Sequence, residues 1–201
     1  MAITTYAQLQ TACKNWLHRA DLDTNIPDFI TLGETRIMRN VKSKDMETAF
    51  SDTIASGAIA LPTGYIELKF AYLNTTPTYA LKNMDARFIY DKYPYRAASG
   101  SPRYIAREGS TFIFGPYPDS TYTVKGVYYK DLGPVSSFAH ALFTNNPDLY
   151  LFAALCEAEP FLKNDPRVQL WEAKYDQIKD DINGLRDRES YSGGGMNIRP
   201  A

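Results

Sequence analysis

LFTNNPDLYLFAALCEAEPFLKND, residues 142–165, is the stretch on which the architecture turns. Asn146 followed by Pro147 is a helix start, since a proline in the first turn gives up an N–H that would have no intrahelical partner anyway. From there the run reads as one helix whose inner face is Leu149, Phe152, Leu155 and Cys156. Pro160 removes a backbone donor and crowds the carbonyl of Cys156, which predicts a kink. Asn164-Asp165-Pro166 then opens a further helix. In it Leu170, Trp171, Tyr175, Ile178, Ile182 and Leu185 recur at steps of three and four, with Glu172, Lys174, Asp176, Lys179, Asp180 and Asp181 between them. Roughly 25 residues at 1.5 Å each make a rod of about 37 Å, longer than one small core requires. It runs into SYSGGGMNIRPA.

The N-terminal segment supplies partners for these helices. Thr5 with Gln8 is a weak capping box, and Tyr6, Leu9, Cys13, Trp16 and Leu17 then fall on one helical face, with Lys14, Asn15 and His18 off it. A polar break from Ala20 to Thr24 precedes Asn25, Ile26, Pro27 and Asp28, a second helix start. Its stripe is Ile26, Phe29, Ile30, Gly33, Ile37 and Val41, with Glu34, Arg36 and Arg39 largely off it. Gly33 costs about 1 kcal/mol of helix propensity but lets another backbone come close. The two helices form an αα-hairpin. The expected helical core includes Trp16, Phe29, Ile37, Phe152, Tyr175 and Ile178.

Between the helical ends the pattern changes to strands. METAFSDTI, AIALPTGYIELKFAYLN, PTYAL, RYIARE, STFIFGP and STYTVKGVYYK are rich in β-branched and aromatic residues. Gly57, Pro62-Thr63-Gly64, Asn74, Gly109-Ser110 and Gly115-Pro116-Tyr117-Pro118-Asp119 punctuate them. In the last run Tyr122, Val124, Gly126 and Tyr128 alternate with Thr121, Thr123, Lys125 and Val127, as in a strand with one packed face. MDARFIYDKYP, residues 84–94, reads as a short helix stopped by Pro94, and DLGPVSSFAHALFTNN as an irregular connector. Short loops favour antiparallel pairing. The expected fold is α+β: a helical bundle made by the N-terminal hairpin (1–44) and two C-terminal helices (132–191), an inserted antiparallel meander or partial barrel (45–131), and a flexible tail (192–201).

At 201 residues the chain can bury a real core, and a formal charge of −1 gives no support for a protein that coats DNA or a membrane surface. Fifteen Tyr exceed ten Phe; a ring that is apolar at its body and polar at its tip suits either an interface or a sheet face. Cys13 and Cys156 fall in apolar helical runs and read as buried free thiols in a reducing compartment. MAITTYAQLQ has no signal-peptide pattern, and no run reaches the length of a membrane span, so a soluble protein is expected.

Catalytic chemistry is missing from the sequence. There is no glycine-rich phosphate loop with a lysine, no G-x-S-x-G, no H-E-x-x-H and no C-x-x-C. His18 and His140 read as surface or capping residues. Glu157 and Glu159 diverge on a helix, as do Asp180 and Asp181, so neither pair converges as two-carboxylate chemistry requires. No enzyme, metal or cofactor is expected. Lys82, Arg87, Lys92, Arg96, Arg103 and Arg107, interleaved with Tyr90, Tyr93, Tyr95 and Tyr104 and opposed by Asp85 and Asp91, read either as a single-strand surface or as an ordinary sheet edge. The tail carries three adjacent glycines and too little apolar area to order by itself, but Met196, Ile198 and Arg199 are anchors for a partner.

The chain resembles the adaptor, or head-to-tail connector, proteins of tailed bacteriophages, the short-tailed ones in particular. The residues that carry the resemblance are TTYAQLQTACKNWLHRADLDTNIPDFITLGETRIMRNVKSKDMET, IALPTGYIELKFAYLN, SPRYIAREGSTFIFGPYPDSTYTVKGVYYKDL and NNPDLYLFAALCEAEPFLKNDPRVQLWEAKYDQ. The resemblance implies a non-enzymatic homo-oligomer, a ring of about twelve copies under the portal protein. That ring extends the DNA channel and seats the tail nozzle or tail hub, and double-stranded DNA passes through without sequence-specific binding. It implies portal contacts at Trp171, Ile182, Arg186, Arg188, Tyr191, Met196, Ile198 and Arg199. Ring and nozzle contacts fall at Tyr93, Tyr95, Arg96, Arg103, Tyr117 and Asp119. The expected location is the head–tail junction of a virion, after synthesis in the bacterial cytoplasm. Two other readings stand beside it: a head- or tail-completion protein of a long-tailed phage, and a nucleic-acid-binding accessory protein.

Overall fold

The structure, a computed structural model, describes residues 3–19, 21–94, 98–162 and 165–191. The chain divides into two compact units, one made of residues 1–45 with 132–201 and the other of residues 46–131. The fold is α+β, with the N-terminal helices packed on the C-terminal ones and a barrel-like sheet inserted between them in sequence.

In the helical unit, α1 (Tyr6–Leu17) opens with the capping box: the Gln8 N–H donates to Thr5 Oγ1 at 3.3 Å, and the Thr5 N–H donates to Gln8 Oε1 at 3.2 Å. His18 closes it in the left-handed region at φ 53°. Helix α2 (Ile26–Asn40) starts with Pro27 in its first turn, although the Asn25 side chain makes no capping bond. After α2, the 3-10 turn Lys44–Met46 leads towards the sheet. The C-terminal part holds α4 (Ala141–Asn145), α5 (Pro147–Glu157), α6 (Glu159–Leu162) and α7 (Arg167–Tyr191). Helix α5 is central, with α1, α2 and α7 all packed on it. Leu149, Tyr150, Leu151, Ala153, Ala154, Leu155 and Cys156 are all buried, so it has no single inner face; Phe152 is only partly covered. A helix enclosed on most sides is apolar around most of its circumference.

Gly33 lies where α2 crosses α5. A Cβ added there would stand 2.9 Å from the Ala154 nitrogen and 3.0 Å from the Ala153 carbonyl carbon, inside any permitted contact. The glycine is therefore what sets the spacing of these two helices. Cys13 and Cys156 are buried and unbridged. Burial pushes both thiols up to about 12, so neither is a nucleophile at neutral pH.

Three local expectations in this unit change. Residues 147–162 are not one kinked helix. Ala158 leaves the α5 ladder, its N–H reaching the Leu155 carbonyl at 3.3 Å, and Pro160 falls in the first turn of α6, where its missing donor costs little. The connector is not wholly irregular, because α4 forms with His140 as its N-cap, Nδ1 accepting the Phe143 N–H at 3.4 Å. Trp16 is not a core residue: it is 44 % exposed, its ring set edge-on against Phe152 at 5.5 Å. Of the other expected core residues, Phe29, Ile37 and Tyr175 are buried and Ile178 is half-buried.

The sheet unit contains β1 (Glu47–Ile54), β2 (Ala58–Ala60), β3 (Tyr65–Leu73), β4 (Tyr79–Asn83), β5 (Tyr104–Glu108), β6 (Thr111–Gly115) and β7 (Tyr122–Lys130). Their order is β1-β7-β3-β4-β5-β6-β2, and β1 and β2 approach each other so that the sheet is nearly closed. Strand β7 pairs along its length with β1 (Glu47 opposite Tyr129 to Ile54 opposite Tyr122) and with β3 (Tyr65 opposite Lys130 to Leu73 opposite Val124). The interior is filled by Ile54, Ile59, Leu68, Ala71, Leu73, Leu81, Ile105, Phe112, Phe114 and Val124. One pair departs from the antiparallel expectation: β4 and β5 run parallel, Lys82 opposite Tyr104 and Asn83 opposite Ile105. The physical reason is the connection, which is long enough for a crossover and contains α3 (Ala86–Lys92). Ile89 of α3 packs on Ala106 and Ile113, on the outer side of β5 and β6.

Candidate interaction surfaces

Helix α7 is fastened to the helical unit along most of its length. Val168, Trp171, Tyr175 and Ile182 are buried at steps of three, four and seven, a narrow seam of the kind that lays one helix along another. Arg36 of α2 bridges α5 and α7: its Nη1 lies 3.1 Å from Glu172 and 3.5 Å from Glu157, and its guanidinium stacks 4.5 Å from the Tyr175 ring centre. Burial disfavours that charge, but the hydrogen bond to Glu172 together with the attraction of its carboxylate more than offsets it, and Arg36 stays protonated. Further along, Asn183 closes the C-terminal end of α2. Its Nδ2 donates to the Asn40 carbonyl at 3.2 Å, and its Oδ1 accepts the Lys42 N–H at 3.0 Å. One side chain thus bridges the Lys42 N–H and the Asn40 carbonyl, the latter among those that a helix C-terminus leaves without an intrahelical donor. Asn183→Ala should cost about 1–2 kcal/mol. A urea titration would show this as a lower midpoint with unchanged slope, and an unshifted midpoint would mean the link contributes nothing.

Beyond Asn183 the seam opens. Leu185 is 56 % exposed and, with Ile182, Arg186 and Glu189, borders a groove of about 290 Å³ closed on its other side by Ser43, Lys44, Asp45, Asn145 and Asn146. Lys44 and Glu189 face each other across it at 2.9 Å. The other end of α7 borders a more apolar groove of about 440 Å³, lined by Asn15, Trp16, His18, Arg167, Leu170 and Trp171. Leu170, expected in the inner stripe, is 59 % exposed there.

The residues expected to meet a portal therefore separate into three groups. Trp171 and Ile182 are 2 % and 8 % exposed, so in the free chain they pack within the helical unit. Arg186 and Arg188 lie on the open part of α7, Arg186 bonded to Asp187 at 2.7 Å and Arg188 exposed. Tyr191 is the last residue of α7. Met196, Ile198 and Arg199, with the flexible tail expected at 192–201, lie outside the described residues.

In the sheet unit, the residues expected at a ring or nozzle contact fall near α3 and the β6–β7 turn. Tyr93 ends α3, half-buried, with its ring 6.3 Å from that of Tyr104. Tyr117 pairs with the strand-like segment at Ala98–Gly100, its N–H on the Ala98 carbonyl and its carbonyl accepting the Gly100 N–H. Asp119 accepts the Tyr122 hydroxyl at 2.6 Å. Arg103 is exposed beside Tyr104, while Tyr95 and Arg96 lie outside the described residues. Tyr104, read from the sequence only as one of four tyrosines interleaved with the basic residues, is the centre of this region. Phe88 meets its ring edge-on at 5.1 Å, Lys92 Nζ lies 4.5 Å from its centroid, and the same Nζ donates to its hydroxyl at 2.7 Å. That hydrogen bond holds the phenol below the ordinary tyrosine range and raises Lys92.

No three side chains of His, Cys, Asp or Glu converge to hold a metal ion, and no helix is long and apolar enough to cross a membrane, among the described residues. Residues 4–199 match the family described as SU10 adaptor protein. The chain belongs to the SU10 adaptor protein family. That family is a phage adaptor family, structural and not catalytic, so the chain has the role of a phage virion adaptor. No curated protein matches the chain. For an adaptor, the half-open α7, the two grooves beside it and the charged rim of α3 and β5 are where contact surface is available.

Proposed function

We propose that this adaptor forms a ring of about twelve copies at the head–tail junction of the virion, one face on the portal and the other carrying the tail nozzle or hub. The observation that carries this reading is the family match, which runs over residues 4–199 and so includes both units and most of the tail. The open end of α7, with Leu185, Arg186 and Arg188, supports a portal contact that continues into residues 192–201 through Met196, Ile198 and Arg199. Tyr93, Arg103, Tyr117 and Asp119 are the described residues proposed to meet neighbouring subunits and the nozzle; Tyr95 and Arg96, outside the described residues, are assigned to the same contact from the family resemblance alone. The ring lengthens the channel through which double-stranded DNA passes without sequence-specific binding. The chain is made in the bacterial cytoplasm and reaches the virion by assembly.

Ordering ten residues on a partner costs on the order of 10–20 kcal/mol of backbone entropy, so their anchors must bury well for the contact to hold. Deleting residues 192–201 should leave the thermal midpoint of the free protein unchanged and reduce capture by immobilised portal protein at least tenfold. Capture at unchanged affinity by the truncated protein would remove the tail from the portal contact.

A further inference from the structure

The charged rim of the sheet unit has a chemistry of its own. Lys82 is the direct partner of Tyr104 across the β4–β5 pair, Arg103 precedes Tyr104, and Lys92 reaches the same hydroxyl from α3 at 2.7 Å. All three cations are exposed. The nearby carboxylates are engaged elsewhere: Asp85 accepts the Arg87 N–H at 2.8 Å, Asp91 faces Arg87 at 3.5 Å, and Glu108 accepts the Tyr90 hydroxyl at 2.9 Å. Among the described residues, Lys82, Lys92 and Arg103 have no carboxylate partner; Lys92 reaches the Tyr104 hydroxyl directly, while Lys82 and Arg103 flank Tyr104 across and along the strand. The field of all three lowers the affinity of Tyr104 for its proton, after the larger effect of the Lys92 hydrogen bond.

We propose that Lys82, Lys92, Arg103 and the Tyr104 hydroxyl form a contact site for nucleic-acid phosphodiesters, through which the sheet unit touches a DNA backbone without reading its sequence. Tyr104 is partly covered, with Phe88 packed edge-on at 5.1 Å, Tyr93 tilted at 6.3 Å and Lys92 at its hydroxyl edge, so it is a poor platform for base stacking. What remains free is donor chemistry: two ammonium groups, a guanidinium and a phenol, suited to the several oxygens of a phosphate. The site is an open rim with long side chains, too loose to fix one small anion but suited to a polyanion that offers many phosphates. Two of the three cations are lysines, which are depleted at protein–protein contacts, and this favours nucleic acid over an acidic protein surface. The inference deepens the proposed channel role and depends on it only for where the DNA comes from.

Fluorescence anisotropy of the full chain with labelled 24-base-pair duplexes of unrelated sequence tests it. At low salt a dissociation constant of about 1–100 µM is expected, equal for all sequences, with log K falling against log salt at a slope of roughly −2 to −3 for three phosphate contacts. Each of Lys82→Gln, Lys92→Gln and Arg103→Gln should reduce that slope by about one, and the triple variant should abolish measurable binding while melting normally. Tyr104→Phe should weaken binding by about twofold to fivefold, the loss of a single hydrogen bond. No binding at low salt overturns the proposal, as does an undiminished slope in the triple variant. Saturation by inorganic phosphate alone at submillimolar concentration would also overturn it, since that defines an isolated anion site. So would a triple variant that keeps DNA binding but loses capture of the nozzle protein, which would assign the rim to a protein contact. Portal capture by the triple variant, measured in parallel, should be unchanged, so failure here leaves the connector role standing.

Discussion

Trp171→Ala should destabilise the helical unit by about 3–5 kcal/mol, the range for truncating a large buried aromatic. Trp171 is 2 % exposed, it is the largest side chain of the seam that lays α7 along α5, and the Arg167 guanidinium lies 5.3 Å from its ring. Removing the indole takes away transfer energy, leaves a cavity that rigid helices fill poorly, and strips Arg167 of its aromatic partner. The apolar groove along Trp16 and Leu170 reaches the edge of this site, so water enters part of the space and the cost stays within the range given. A thermal midpoint lower by roughly 10 °C is expected, and assembly with partners should fail as a consequence. A melt superimposable on that of the unmodified protein would show that the seam is misplaced.

Gly126→Ala should be comparably severe in the sheet unit. Gly126 lies in β7 between Phe50 of β1 and Ala71 of β3. A Cβ there would stand 2.5 Å from the Phe70 carbonyl oxygen and 2.6 Å from a ring carbon of Phe50. Phe50 occupies the space the glycine leaves, and its ring continues into Phe112 at 6.0 Å and Tyr128 at 6.1 Å. Alanine would have to displace both the ring and a main-chain oxygen at the register shift between Leu68 and Phe70. The expected loss is about 3 kcal/mol or more, at the upper end of overpacking costs. Adding Phe50→Leu should restore only part of it, because the carbonyl remains. Denaturation midpoints for the single and double variants test this, and a single variant as stable as the original would place Gly126 in a different register.

The parts of the fold that were legible are those set by neighbours in sequence. Thr5 and Gln8 are three residues apart and form their capping box. The alternation around Gly126 appears as strand β7, paired on both sides, and Asp85 and Pro94 bracket α3. Gly33 could be assigned to a close backbone approach because nothing else explains a glycine in the middle of an apolar stripe. Less was legible where distant residues decide. The parallel β4–β5 pair follows from a crossover whose length was visible but whose return point was not. His140 reads as a surface or capping residue and does cap α4, but it is also buried, which its sequence neighbours do not signal. Asn183 and Arg36 act across separations of 141 and 136 residues, and periodicity places both simply on a polar face. Trp171 and Ile182 show the limit for the candidate surfaces: the stripe identified which residues are apolar, but not which part of it the body covers and which part, from Leu185 onward, stays open.

The claim that the chain is a head–tail connector is tested most directly by adding it to purified portal rings of the same phage and measuring the mass of the complex by light scattering. Each subunit–subunit contact alone is modest, so the free protein should be monomeric at micromolar concentration. With portal present, about twelve copies should join each ring, because the template aligns all the neighbour contacts at once. Portal rings whose mass does not change in the presence of excess protein would contradict the account.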